Sequence, residues 1–123
     1  MGGSARQNAE SAGMLKMLAR TGFAIALLLG IGALMGLYAD RGFVLWLHIA
    51  SGLLFLVPAW LLANQPARRR RLTQAGAALG TLGALLVVGR YLFWSDVSVW
   101  WHVAMMVAAL GLIEMGSARA HRA

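Results

Sequence analysis

The stretch FVLWLHIASGLLFLVPAWLLA, residues 43–63, carries no charged side chain and is long enough to cross a bilayer. The hydrocarbon layer is roughly 30 Å thick and a helix rises about 1.5 Å per residue, so about 20 apolar residues suffice. Three further stretches have the same character, approximately Met17–Tyr38, Leu72–Phe93 and Val97–Gly116. A spanning segment must satisfy its own backbone hydrogen bonds, and too few residues alternate here for a barrel, so all four are expected to be helices. Their connections, at 39–42, 64–71 and 94–96, are short, which makes consecutive helices antiparallel neighbours. The predicted fold is all-α: a transmembrane four-helix up-and-down bundle over 17–116, preceded by a flexible leader over 1–16 and followed by a tail over 117–123.

Composition supports this reading. Of 123 residues 60% are hydrophobic and 12% charged, and the mean hydropathy is +0.70, which excludes a water-soluble globular domain and a disordered chain alike. The net charge of +7 is concentrated at a few points with long uncharged runs between them, a membrane pattern rather than a nucleic-acid surface. Cysteine is absent, which removes disulfides, iron–sulfur clusters and thiolate chemistry. No separate soluble domain is expected.

Orientation follows from the basic residues. Arg6, Lys16 and Arg20 precede or open the first span, Arg68–Arg71 fill the second connection, and Arg119 and Arg122 follow the fourth span. All lie on one side, whereas the other carries Arg41 and Arg90, each near a carboxylate, Asp40 or Asp96. Both termini are therefore expected in the cytoplasm of a bacterial inner membrane, with the first span retained rather than cleaved as a signal peptide. The Arg68–Arg71 run reads as a topology signal that also touches lipid head groups.

The second and fourth spans share a pattern. Trp46-Leu47-His48-Ile49-Ala50 matches Trp100-Trp101-His102-Val103-Ala104 at the Trp, the His, the β-branched residue and the Ala, with the histidines 54 residues apart. The first and third spans echo each other as Gly32-Ala33-Leu34-Met35 and Gly83-Ala84-Leu85-Leu86, so the chain reads as a duplicated helical hairpin. Each histidine lies five residues inside its span, roughly 8 Å below the periplasmic boundary. Polar side chains at such depth face the bundle interior and mark function.

Two neutral imidazoles at one depth suit haem iron, which takes four nitrogens from the porphyrin and needs only two axial ligands. Zinc or copper wants three or four protein donors, and a soft copper site here would have to recruit Met35, Met105 or Met106. His48 and His102 are thus the candidate metal ligands of one haem b. Gly52, one turn from His48, removes a side chain from beneath the macrocycle, and Phe55 and Ala59 continue that stripe. Gly32, Ala33 and Gly36 on the first span and Gly89 on the third would admit the ring edges. Arg90 would reach a propionate, or else snorkel or pair with Asp96.

Plainer readings stand beside these. Gly32/Gly36 and Gly76/Gly80 have the spacing of close helix packing. Trp46, Trp94, Trp100, Trp101, Tyr38 and Tyr91 form an interfacial aromatic belt. Pro58 bends the second helix, and a single histidine near an interface also serves as a structural hydrogen-bonding group. Glu114 reads either as an interfacial ion pair or as a proton-relay or quinone-site group.

On His48 with Gly52, and on His102, the chain resembles the four-helix membrane b-type cytochromes, the cytochrome b-561 group and related quinone-linked haem subunits. The resemblance implies one-electron transfer to or from quinone or a redox partner protein. Those families often carry a second haem ligated at the opposite ends of the same helices. Here Trp60, Leu61, Leu62, Leu112 and Ile113 stand at those ends, and His121 lies beyond the fourth span, so the expectation is a one-haem variant. The small multidrug transporters, of similar length, need a carboxylate in the first span, which this chain lacks. The expected role is an electron-transfer subunit rather than a complete enzyme, possible as a homo-oligomer or within a larger complex. The other class is a haem-free accessory subunit whose histidines serve structure.

Overall fold

The computed structural model describes residues 2–66, 69–93 and 96–117. Four α-helices follow one another: α1 over Gly2–Leu34, α2 over Arg41–Ala63, α3 over Arg70–Leu92 and α4 over Val99–Ser117. There is no strand among the described residues. All four helices are long and apolar enough to cross a membrane, so the all-α, four-span class expected from the sequence is the observed one. Large apolar side chains face outward along every helix, among them Leu28, Leu53, Leu85 and Val107. In water such a surface would aggregate; its solvent is the hydrocarbon of a bilayer. The chain is a multi-pass membrane protein.

Two boundaries differ from expectation. Residues 2–16, expected as a flexible leader, continue α1. That segment is rich in good helix formers, and Arg6 pairs with Glu10 one turn away at 3.4 Å. At its other end α1 stops at Leu34 rather than Tyr38. Gly36 has φ +71°, the left-handed conformation that a Cβ disfavours. Its N–H donates to the Ala33 carbonyl at 3.1 Å, and the Leu37 N–H donates to the Gly32 carbonyl at 2.9 Å. These are the two bonds of a Schellman C-cap. The chain then doubles back, and the Tyr38 ring lies over Gly32 in the space a Cβ would fill. We expect Gly36→Val to lower stability by about 1–2 kcal/mol, read as a lower midpoint of thermal unfolding in detergent.

The chain forms two compact units, 1–58 and 59–123. In the first, α1 and α2 make an antiparallel hairpin. Asp40 caps α2, its Oδ1 accepting from the Phe43 N–H at 3.1 Å. The helices touch backbone to backbone at Gly22, where an added Cβ would lie 2.6 Å from the Phe55 nitrogen and 2.7 Å from the Ser51 carbonyl oxygen. Phe55, 1% exposed, meets Phe23 edge to face with ring centroids 5.3 Å apart. The unit ends at Pro58, inside α2.

The second unit holds the last turns of α2 with the antiparallel pair α3 and α4. Trp60 Nε1 donates to Thr81 Oγ1 at 2.9 Å, and Arg70 Nε donates to the Ala63 carbonyl at 3.0 Å, at the C-terminal end of α2. Ser98 caps α4, its Oγ accepting from the Trp100 N–H at 3.2 Å. The helices α3 and α4 approach closely at two glycines. At Gly76 a Cβ would meet Ile113 Cγ1 at 2.7 Å and the Ala109 carbonyl oxygen at 2.8 Å; at Gly116 it would overlap Thr73. The Gly76/Gly80 pair is buried, as small residues at a membrane helix interface should be.

Candidate functional site

Both hairpins repeat one arrangement. Gly22 meets Phe55 at the first crossing and Gly76 meets Ala109 at the second. The glycines are 54 residues apart, as are Phe55 and Ala109, and as are the two histidines. Each histidine lies seven residues before its crossing residue, about two helical turns and 10 Å along the helix. Opposite it on the preceding helix stands another glycine, Gly30 for His48 and Gly83 for His102. The duplication read from the spans is thus present in the packing, in a register different from the expected one. The Gly32 and Gly83 tetrapeptides are not equivalent, because Gly32 sits beneath Tyr38 near the end of α1 whereas Gly83 lies inside α3.

His102 is half-buried, and its Nδ1 lies 2.8 Å from the Gly83 carbonyl oxygen. A carbonyl oxygen only accepts, so Nδ1 carries the proton. In a neutral imidazole the lone pair is then on Nε2. Met105 and Met106 flank the contact: a Cβ on Gly83 would lie 3.1 Å from both Met105 Cβ and Met106 Sδ. His48, also half-buried, turns an edge of its ring toward Gly30, with Cε1 3.5 Å and Nδ1 4.0 Å from where a Cβ would be. The Ser51 hydroxyl donates to the His48 carbonyl at 2.9 Å.

The other expected site residues divide. A Cβ on Gly52 would meet nothing within 4 Å, so no packing contact accounts for a glycine one turn from His48. Gly89 is buried in α3, and its carbonyl accepts from the Phe93 N–H at 2.7 Å. Gly36 was expected to admit a ring edge at the histidine level; it lies instead in the left-handed turn that ends α1, and chain reversal accounts for it. Arg90 Nε donates to the Val97 carbonyl rather than to Asp96, which joins the end of α3 to the connection before α4. Trp46, Tyr91, Trp100 and Trp101 are exposed, as an interfacial belt requires, whereas Tyr38 is folded onto Gly32. Arg68, Trp94, Arg119, His121 and Arg122 lie outside the described residues.

Among the described residues no three His, Cys, Asp or Glu side chains gather into a metal-binding group. The sequence reading gave neither Gly30 nor Gly83 a role beside a histidine; they are 53 residues apart, one short of the 54-residue period, so the repeat alone does not pair them. Comparison with family models, curated proteins and solved structures finds no match to this chain.

Proposed function

We propose that this chain is a one-haem b-type membrane cytochrome, with His48 and His102 as the residues that would hold the haem, in a bacterial inner membrane with both termini cytoplasmic. The observation that carries the reading is the hydrogen bond from His102 Nδ1 to the Gly83 carbonyl. Ligating histidines characteristically donate their second N–H to a carbonyl or carboxylate, which fixes the ring and its tautomer. A helix carbonyl fills that role here, so the donor chemistry fits an imidazole ligand.

Haem b, when bound, supplies reversible one-electron exchange. His102 would hold the haem iron through Nε2, the nitrogen not bonded to the Gly83 carbonyl. His48 is the matching donor by depth and by repeat. Gly52 leaves a side-chain-sized space one turn away on the same helix. Arg90 spends Nε on the Val97 carbonyl, and its terminal N–H groups are the donors for a propionate carboxylate. Membrane quinone or a redox protein would exchange the electron, and the chain would act as a subunit rather than as a complete enzyme.

The test is a visible spectrum of the full chain purified in mild detergent from haem-replete cells. Sharp reduced α and Soret bands are expected, and His48→Ala and His102→Ala should each abolish them while leaving a helical, soluble-in-detergent protein. A colourless folded wild type would overturn the reading and assign the chain to the haem-free accessory class.

A further inference from the structure

We infer that Gly83 is a positioning residue for His102: its backbone carbonyl selects the Nδ1–H tautomer, and its missing side chain lets α4 come close enough for that bond to form. The inference rests on the cytochrome reading for its consequence, while its first observable is a property of the protein alone.

Two independent measurements of the packing carry it. The carbonyl stands 2.8 Å from Nδ1, within the normal range for an N–H···O bond. A Cβ at position 83 would lie 3.1 Å from Met105 Cβ and from Met106 Sδ, tighter than ordinary van der Waals contact. Met106 Sδ ends a flexible side chain and can swing away, but Met105 Cβ is fixed to the helix backbone. An alanine at 83 therefore pushes α4 outward by a few tenths of an ångström at the level where His102 must reach α3. Hydrogen bonds weaken as they lengthen and bend, so the tautomer loses its anchor.

The other hairpin supplies a contrast. Gly30 faces His48, but a Cβ there would stand 3.5 Å from the ring, an ordinary contact that alanine satisfies without movement. The two glycines thus differ: Gly83 lies under steric constraint from α4, whereas Gly30 meets the His48 ring at an ordinary distance. Gly111, on the same helix as His102, faces open space and serves as the control for a glycine-to-alanine change in α4 itself.

The experiment uses the full chain labelled with 15N-histidine in detergent micelles. In the wild type without haem, the His102 ring, assigned by its loss in His102→Asn, is expected to show a protonated Nδ1 and an unprotonated Nε2. Gly83→Ala should mix or reverse that pattern, and Gly30→Ala and Gly111→Ala should leave it unchanged. In the haem-loaded protein, Gly83→Ala should weaken haem binding roughly 10–100-fold, the usual effect of removing an outer partner of a ligating histidine. A wild-type His102 protonated at Nε2 would overturn the inference, and this holds even if Gly83→Ala fails to fold. So would a Gly83→Ala protein with an unchanged tautomer and haem affinity. A colourless wild type with the Nδ1–H signature sinks the cytochrome reading and upholds the positioning by Gly83.

Discussion

Gly22→Leu is expected to disrupt the first hairpin, and Gly22→Ala to destabilise it by about 1–3 kcal/mol, measured as a lower midpoint of thermal unfolding in detergent micelles. The three nearest atoms to the missing Cβ, the Phe55 nitrogen, the Leu54 carbonyl carbon and the Ser51 carbonyl oxygen, all lie at 2.6–2.7 Å and all belong to the backbone of α2. None can rotate away, so the helices themselves must separate. Dispersion falls steeply with distance, and a gap opened along the interface loses contacts from many atom pairs at once. In water a hydrophobic penalty would resist the separation; in lipid the solvent is as apolar as the side chains, so close packing is most of what holds the pair together. Gly76→Ala should also be costly, because beside Ile113 Cγ1 at 2.7 Å its Cβ would meet the Ala109 carbonyl oxygen at 2.8 Å and the Ile113 nitrogen at 3.0 Å, both backbone atoms of α4. Gly13→Ala and Gly111→Ala meet nothing within 4 Å, and alanine's better helix propensity should make both neutral or stabilising by up to about 1 kcal/mol. Equal losses at all four positions would show that crossing geometry is not what these glycines provide.

Phe55→Ala is the second substitution with a large expected effect, a loss of about 2–3 kcal/mol. Phe55 is 1% exposed and meets Phe23 at an interplanar angle of 69°. Removing a buried aromatic ring from a water-soluble core costs more, because transfer from water adds to the cavity left behind. Here the transfer part is small, since an exposed Phe in this chain faces hydrocarbon. What remains is the cavity and the lost aromatic pair. A double-mutant cycle with Phe23→Ala should assign about 0.5–1.5 kcal/mol to the pair itself. Phe43→Ala, at a position 62% exposed, is expected to change unfolding by no more than about 0.5 kcal/mol. If Phe43 and Phe55 gave equal losses, ring size rather than burial would govern stability.

The spans were legible in the sequence because lipid imposes a simple rule: about 20 uncharged residues, with every backbone group paired inside the segment. Three of the four helices begin or end within two residues of the expected positions at each end. The end of α1 was misplaced because apolar residues continue through Tyr38, and hydropathy alone does not register that Gly36 turns the chain. Its start was misplaced because a polar, helix-forming leader carries no hydrophobic signal and still propagates a helix that already exists. At the candidate site, the histidines were legible through their shared Trp-x-His frame. Their partners were not, because a glycine contributes only a carbonyl or a vacancy, and which glycine faces a histidine depends on where the helices cross. Gly32 and Gly36 have the spacing of close helix packing, but the Tyr38 ring covers the first and the tight turn takes the second.

The seven residues that separate each histidine from its crossing point have a mechanical consequence. Seven residues advance a helix by close to two full revolutions, so His102 projects from nearly the same side as Ala109, where α4 is pinned against Gly76. Deleting one residue between them would swing the imidazole about 100° around the helix barrel, away from Gly83, while shortening the span by a single residue and leaving its apolar character intact. Such a frameshift in three dimensions separates a helix that merely inserts from one that aims its ring.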